Sequence, residues 1–151
     1  MPDTQAEQQL IGIIAQYTKD LSFENINPVS QLQDVSTDQS QIDIQMRVEV
    51  AKNNEEPNVY GVSLIVHIEA KIDKPMFILE LNYAGEFAIE GFAENLIDPI
   101  LYIECPRLLF PFARSIIANT VSDGGFPPLY LTPVNFAELY QQQEDTDYTL
   151  Q

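Results

Sequence analysis

Residues 41–52 alternate without a break. Ile42, Ile44, Met46, Val48 and Val50 fall on one side and Asp43, Gln45, Arg47 and Glu49 on the other. A side-chain period of two predicts a strand with one covered face. The stretch NNEEPN forms a turn, and residues 59–72 resume the pattern with Tyr60, Val62, Leu64, Val66, Ile68 and Ile72. The two segments read as a hairpin. Asp73, Lys74 and Pro75 turn the chain again into MFILELNYAGEFAI. There Phe77, Leu79, Leu81 and Tyr83 take the buried phase, and Met76, Ile78, Glu80 and Asn82 the other. Gly85 within it marks a bulge or a close approach of another part of the chain. In residues 17–24, Tyr17, Leu21 and Phe23 share one side, with Lys19 as the exception, and Thr18, Asp20, Ser22 and Glu24 share the other. The four segments together predict a four-stranded antiparallel sheet.

Near residue 108 the period becomes helical. Leu109, Phe112, Ala113, Ile116 and Thr120 form one stripe, with Phe110, Ile117 and Val121 beside it. A helix apolar over so much of its girth needs a second surface besides its own sheet, and self-association supplies one. Gly124 and Gly125 end this helix. Pro111 leaves two readings of its start: near Leu108 with the proline in the first turn, or a single turn from Pro106 that breaks and restarts. Pro127, Pro128 and Pro133 keep the exit extended. Asn135 then caps a short last helix, with Glu138 at its third position and Val134 packing on Leu139.

Between these elements, residues 25–40 read as loop and residues 90–104 as an aperiodic link rich in apolar side chains. The ends, about 1–9 and 144–151, read as flexible, and the polar QQQEDTDYTLQ after the last helix as irregular. The expected class is α+β: a single domain over 1–151, with the four-stranded sheet followed by a long helix and a short C-terminal helix.

Charge and composition then narrow the function. Seven Lys and Arg stand against 23 Asp and Glu, a formal net charge of −16, which argues against a nucleic-acid partner. The N-terminus lacks the basic and apolar parts of a signal peptide, and no apolar run approaches the ~18 residues of a membrane helix. One cysteine allows no internal disulfide. A cytoplasmic protein without membrane insertion is the expectation. His67 is the single histidine, on the polar phase of its strand, and Cys105 has no base nearby in sequence. Neither a zinc cage, a calcium loop nor a phosphate loop can be assembled from the motifs present, so no catalysis, cofactor or metal is expected.

Two surfaces remain as candidates. Strand phase puts Asp20, Glu24, Ile78 and Glu80 on the outward side of the sheet, where carboxylates flank an aliphatic. Phe92, Ile97 and Tyr102 in the link, Phe126, Leu129 and Tyr130 in the exit, and Leu139 and Tyr140 on the last helix are placed to wall an apolar groove.

The block CPRLLFPFAR at 105–114, followed by SDGGFPPLYLTPVNF at 122–136, resembles the C-terminal signature of the SecB family of export chaperones, and YTKDLSFE at 17–24 resembles the family's first strand. The resemblance runs over about 17–143. It implies a homotetramer, a dimer of dimers with the long helices sandwiched between sheets, that holds unfolded precursor proteins and delivers them to the motor SecA. It further implies that Asp20, Glu24, Ile78 and Glu80 match the face that meets SecA, and that a client groove lies between the link and the last helix. A SecB-like chaperone serving an antitoxin is the alternative. The ending EDTDYTLQ departs from the tail that some members use as a further SecA contact.

Overall fold

A computed structural model describes residues 8–31 and 40–149. Strands β1 (Leu10–Asn25), β2 (Ser40–Lys52), β3 (Val59–Ile72) and β4 (Lys74–Glu90) form one antiparallel sheet in the order β1-β4-β3-β2, so the first strand pairs with the last. The β2–β3 hairpin keeps one register throughout, with Val48 opposite Leu64 and Val50 opposite Val62. Helices α1 (Glu94–Pro99), α2 (Cys105–Asp123) and α3 (Phe136–Thr149) follow the sheet. A short 3-10 turn, Val29–Gln31, lies in the segment read as loop.

Two strands depart from simple alternation. In β1, Thr18 stands opposite Tyr83 but Asp20 opposite Asn82, which leaves Lys19 as an extra residue. The phase therefore inverts at Lys19. Leu21 and Phe23 face the helices with Leu81 and Leu79, whereas Tyr17, expected beside them, pairs with Ala84 on the opposite face. The lysine that broke the pattern is the bulge itself. Between β3 and β4 the register slips after Ala70, which pairs with Phe77 while Lys71 pairs with Pro75, and Met76 of β4 is the extra residue. Its side chain, expected on the outer phase, turns into the core at 1% exposure.

The link is not structureless. Its α1 passes into a π-helical turn, Ile100–Glu104, and then into α2 with helical backbone angles at every junction. Pro106 has no N–H for the carbonyl of Tyr102, and the turn before it widens so that the Cys105 N–H reaches the Ile100 carbonyl. Neither expected start of the long helix holds. It runs unbroken through Pro106 and Pro111, and because Pro111 and Arg107 are exposed, the carbonyl deprived of its donor lies within reach of water.

The core lies between the inner sheet face and α2. Val62, Leu64, Val66 and Ile68 of β3, with Leu79, Leu81 and Phe87 of β4, meet Leu109, Ala113, Ile117 and Val121 of α2, all buried. Burying a side chain of this size contributes about 1.5–3 kcal/mol. No buried polar residue interrupts the described core. Gly85 permits the close packing: a Cβ there would stand 3.0 Å from Leu109 Cδ2 and 2.8 Å from Phe87 Cε2. The other side of α2 stays open, with Phe112 49% exposed, Leu108 exposed, and Ile116 and Thr120 at the border.

Helix α2 ends as expected. Gly125 takes φ +93°, its N–H donates to the Ser122 carbonyl at 3.1 Å, and the Phe126 N–H donates to the Val121 carbonyl at 3.2 Å. This pair of bonds satisfies carbonyls that a helix end leaves free. The Glu138 N–H donates to Asn135 Oδ1 at 3.2 Å, which bears out the cap of α3. The helix then continues past Tyr140 to Thr149, through the glutamines that were expected to begin an irregular tail.

Candidate functional site: two faces of one sheet

The outer face carries the acidic set. Cross-strand pairing puts Glu24 opposite Ile78, Ser22 opposite Glu80 and Asp20 opposite Asn82, so Asp20, Glu24, Ile78 and Glu80 share a face across the β1–β4 pair. The carboxylates are exposed and Ile78 is half-buried among them. β3 extends the face, because His67 pairs with Glu80. Its Nδ1 lies 2.9 Å from Glu80 Oε1 and its Nε2 3.1 Å from Glu69 Oε1. Sequence phase found the outward position of His67 but not this bridge, which depends on which strand lies alongside.

Both ring nitrogens donate only in the imidazolium form, so the arrangement favours the charged ring. The hydrogen bond that the ring donates to Glu69 raises the His67 pKa above its ordinary 6.5, with partial burial opposing and Glu80 adding to the rise. With the folded value above the unfolded one, the pair's contribution to stability is full below pH 6.5 and is lost as pH rises through the raised value. As the chain has one histidine, its imidazole resonances can be followed without ambiguity. Titration by NMR should give a midpoint above 6.5, and Glu69→Gln should return it toward 6.5. A midpoint unmoved by that substitution would contradict the bridge.

The inner face carries the apolar surface, in two parts. One is a cleft of about 230 Å³ where the β2–β3 end of the sheet meets the exit from α2. Ile42, Ile72, Met76 and Phe77 line it from the sheet, and Val121, Phe126 and Leu129 from the helix side. Phe126 is held by aromatic contact, its ring centroid 4.9 Å from that of Phe77, which stacks at 5.3 Å on Phe23. The other part lies where the π turn meets α3. There Tyr102 stacks on Tyr140 at 5.2 Å, while Phe92, Ile97 and Leu139 are half-buried against the core.

The structure thus divides the eight expected groove residues. Phe126 and Leu129 line the cleft, Tyr102 and Tyr140 pair outside it, and Tyr130 projects into solvent with the Arg114 guanidinium 5.1 Å from its ring centroid. The sheet side of the cleft was missed, because strand alternation assigns Ile42, Ile72 and Phe77 to the core without saying where the helices stop covering it. Of the six expected helix residues, Leu109, Ala113 and Ile117 are used by the chain's own core, whereas Phe112 stays outward and Ile116 and Thr120 sit between.

The Cys105 thiol is fully enclosed, and burial pushes its pKa up to about 12, opposite to the lowering a helix start produces. Among the described residues no group of three or more His, Cys, Asp or Glu is arranged to hold a metal ion, and no helix is long and apolar enough to cross a membrane.

The family model described as preprotein translocase subunit SecB matches residues 4–147. The chain belongs to the SecB family. A protein-export protein SecB of Rhodopseudomonas palustris is 48% identical over 93% of this chain and 87% of its own length. That of Bradyrhizobium diazoefficiens is 49% identical over 93% and 86%, and that of Nitrobacter hamburgensis 44% over 99% and 93%. Among solved structures, a SecB-like chaperone of Mycobacterium tuberculosis in complex with a peptide from an antitoxin shares the fold. Its TM-score is 0.69 at 12% identity, over 82% of this chain and 90% of that one.

Proposed function

We propose that this SecB-family chain is an export chaperone that holds precursor proteins unfolded in the cytoplasm and hands them to SecA. The observation that carries the reading is the separation of two unlike surfaces on one sheet. The apolar cleft at Ile42, Phe126 and Leu129 suits extended apolar segments of many sequences, while Asp20, Glu24 and Glu80 around Ile78 suit a basic partner on the opposite face. A chain held on one face leaves the other free for delivery. The outward stripe of Leu108, Phe112, Ile116 and Thr120 supplies the self-association surface of a homotetramer, a dimer of dimers. Export is favoured over service to an antitoxin because the relatives above 40% identity are export proteins by name, whereas the antitoxin-bound neighbour is 12% identical.

Holding is expected to be passive, without nucleotide. The protein should slow the aggregation of an unfolded precursor in proportion to its concentration, with a negative heat-capacity change on binding. Ile42→Asp with Leu129→Asp should weaken the holding about tenfold or more and leave the melting temperature nearly unchanged, because neither side chain is fully buried. Holding that survives both charges would move the client site away from the cleft.

A further inference from the structure

Strand β2 is an edge of the sheet, and among the described residues a side-chain amide closes it at Val48. The Val48 N–H donates to Gln143 Oε1 at 3.0 Å, and Gln143 Nε2 donates to the Val48 carbonyl at 3.2 Å. A carboxamide carries an acceptor and a donor side by side, as a peptide unit does, so Gln143 pairs with Val48 as a residue of a fifth strand would.

Because the β2–β3 register is unbroken, every second residue repeats the orientation of Val48. Ile42, Ile44 and Met46 therefore direct their backbone N–H and C=O groups to the same free edge and their side chains to the inner face. Ile42 and Ile44 are 46% and 41% exposed, and Ile42 also lines the cleft. From Ile42 to Met46 the edge can seat an extended segment of about five residues. Further toward Val50, the added strand meets Gln143.

We propose that Gln143 is a gate on this edge: its amide holds the far half of α3 against β2 in the place of an added strand, and a longer extended client must displace it. The proposal rests on the holding function argued above. The occupant is an extended polypeptide with apolar residues at alternate positions, since the exposed Ile42 and Ile44 lie beside a row of backbone groups that pair with any sequence. α3 can yield at this point without losing its root. Phe136 at its start is buried in the core, while Gln143 lies about 10 Å farther along the helix and makes its contact through one side chain.

The test compares the wild type with Gln143→Leu, and with Gln143→Glu, which keeps the volume and the acceptor but cannot donate to the Val48 carbonyl. Two end-blocked peptides alternating isoleucine and threonine, five and eleven residues long, serve as probes. Amide exchange at Val48 should be slow in the free wild type and several-fold faster in Gln143→Leu, with Gln143→Glu between the two because its carboxylate can still accept from the Val48 N–H while repelling the Val48 carbonyl. The eleven-residue peptide should bind Gln143→Leu at least fivefold more tightly than wild type, while the five-residue peptide binds both alike. Equal exchange at Val48 in all three proteins, or equal affinity of the long peptide for wild type and Gln143→Leu, overturns the gate and leaves the holding function intact. If neither peptide nor an unfolded precursor binds either protein, the holding function itself falls, and the gate with it.

Discussion

Ile117→Asp is expected to unfold this protein, whereas Phe112→Asp should leave each chain folded and break the proposed homotetramer. Both residues belong to one helix whose girth looks uniformly apolar in sequence, but Ile117 is 0% exposed between α2 and the sheet while Phe112 stands on the open side. A carboxylate in the first position is taken out of water among apolar core side chains and costs several kcal/mol, comparable to the whole stability of a small domain. At the second position, half exposed beside the Tyr83 ring, it keeps contact with water within a single chain and is fully desolvated where another copy covers the stripe. Urea denaturation should show no cooperative transition for Ile117→Asp and a near-normal one for an isolated chain of Phe112→Asp. Native mass spectrometry should show the loss of the tetramer in the latter. A tetramer that persists with Phe112→Asp would remove the outward stripe from the proposed interface.

The second large effect is on delivery. Glu24→Gln combined with Glu80→Lys should weaken SecA binding at least tenfold and flatten its salt dependence, with holding of unfolded precursor unchanged. Glu24 and Glu80 lie on the outer face, opposite Ile78 and Ser22 respectively, and no core side chain depends on them. Exposed substitutions of this kind usually change stability by about 0.5 kcal/mol or less, while charges that meet a basic partner act on the association rate. The same variant carries an internal control. Glu80→Lys removes one of the two carboxylates on His67, so the histidine midpoint should fall together with SecA affinity. Normal SecA binding with a lowered His67 midpoint would show that the face was altered and is not the docking surface.

Much of this arrangement can be read from the chain because it is local. The alternation of β2 and β3, the glycine turn at Gly125 and the cap at Asn135 each depend on residues a few positions apart, where backbone geometry repeats and a side chain reaches its own turn. The outward phase of Asp20, Glu24, Ile78 and Glu80 follows from the same period of two. Tyr17 and Met76 escaped that logic, because a bulge inserts one residue and inverts the phase beyond it, and its position is set by the partner strand.

What only tertiary structure decided are the contacts between elements. Strand order brings His67 to Glu80, the π turn before Pro106 makes a helix of an aperiodic link, and Gln143 closes on Val48 across 95 positions of sequence. Periodicity tells which residues seek cover. It does not tell which of several apolar faces provides the cover, or where cover ends, because burial is non-directional and any apolar surface satisfies it. The division of α2 between Ile117 and Phe112, and the open cleft beside Ile42, follow from the three-dimensional packing of helices on a sheet that they do not wholly cover.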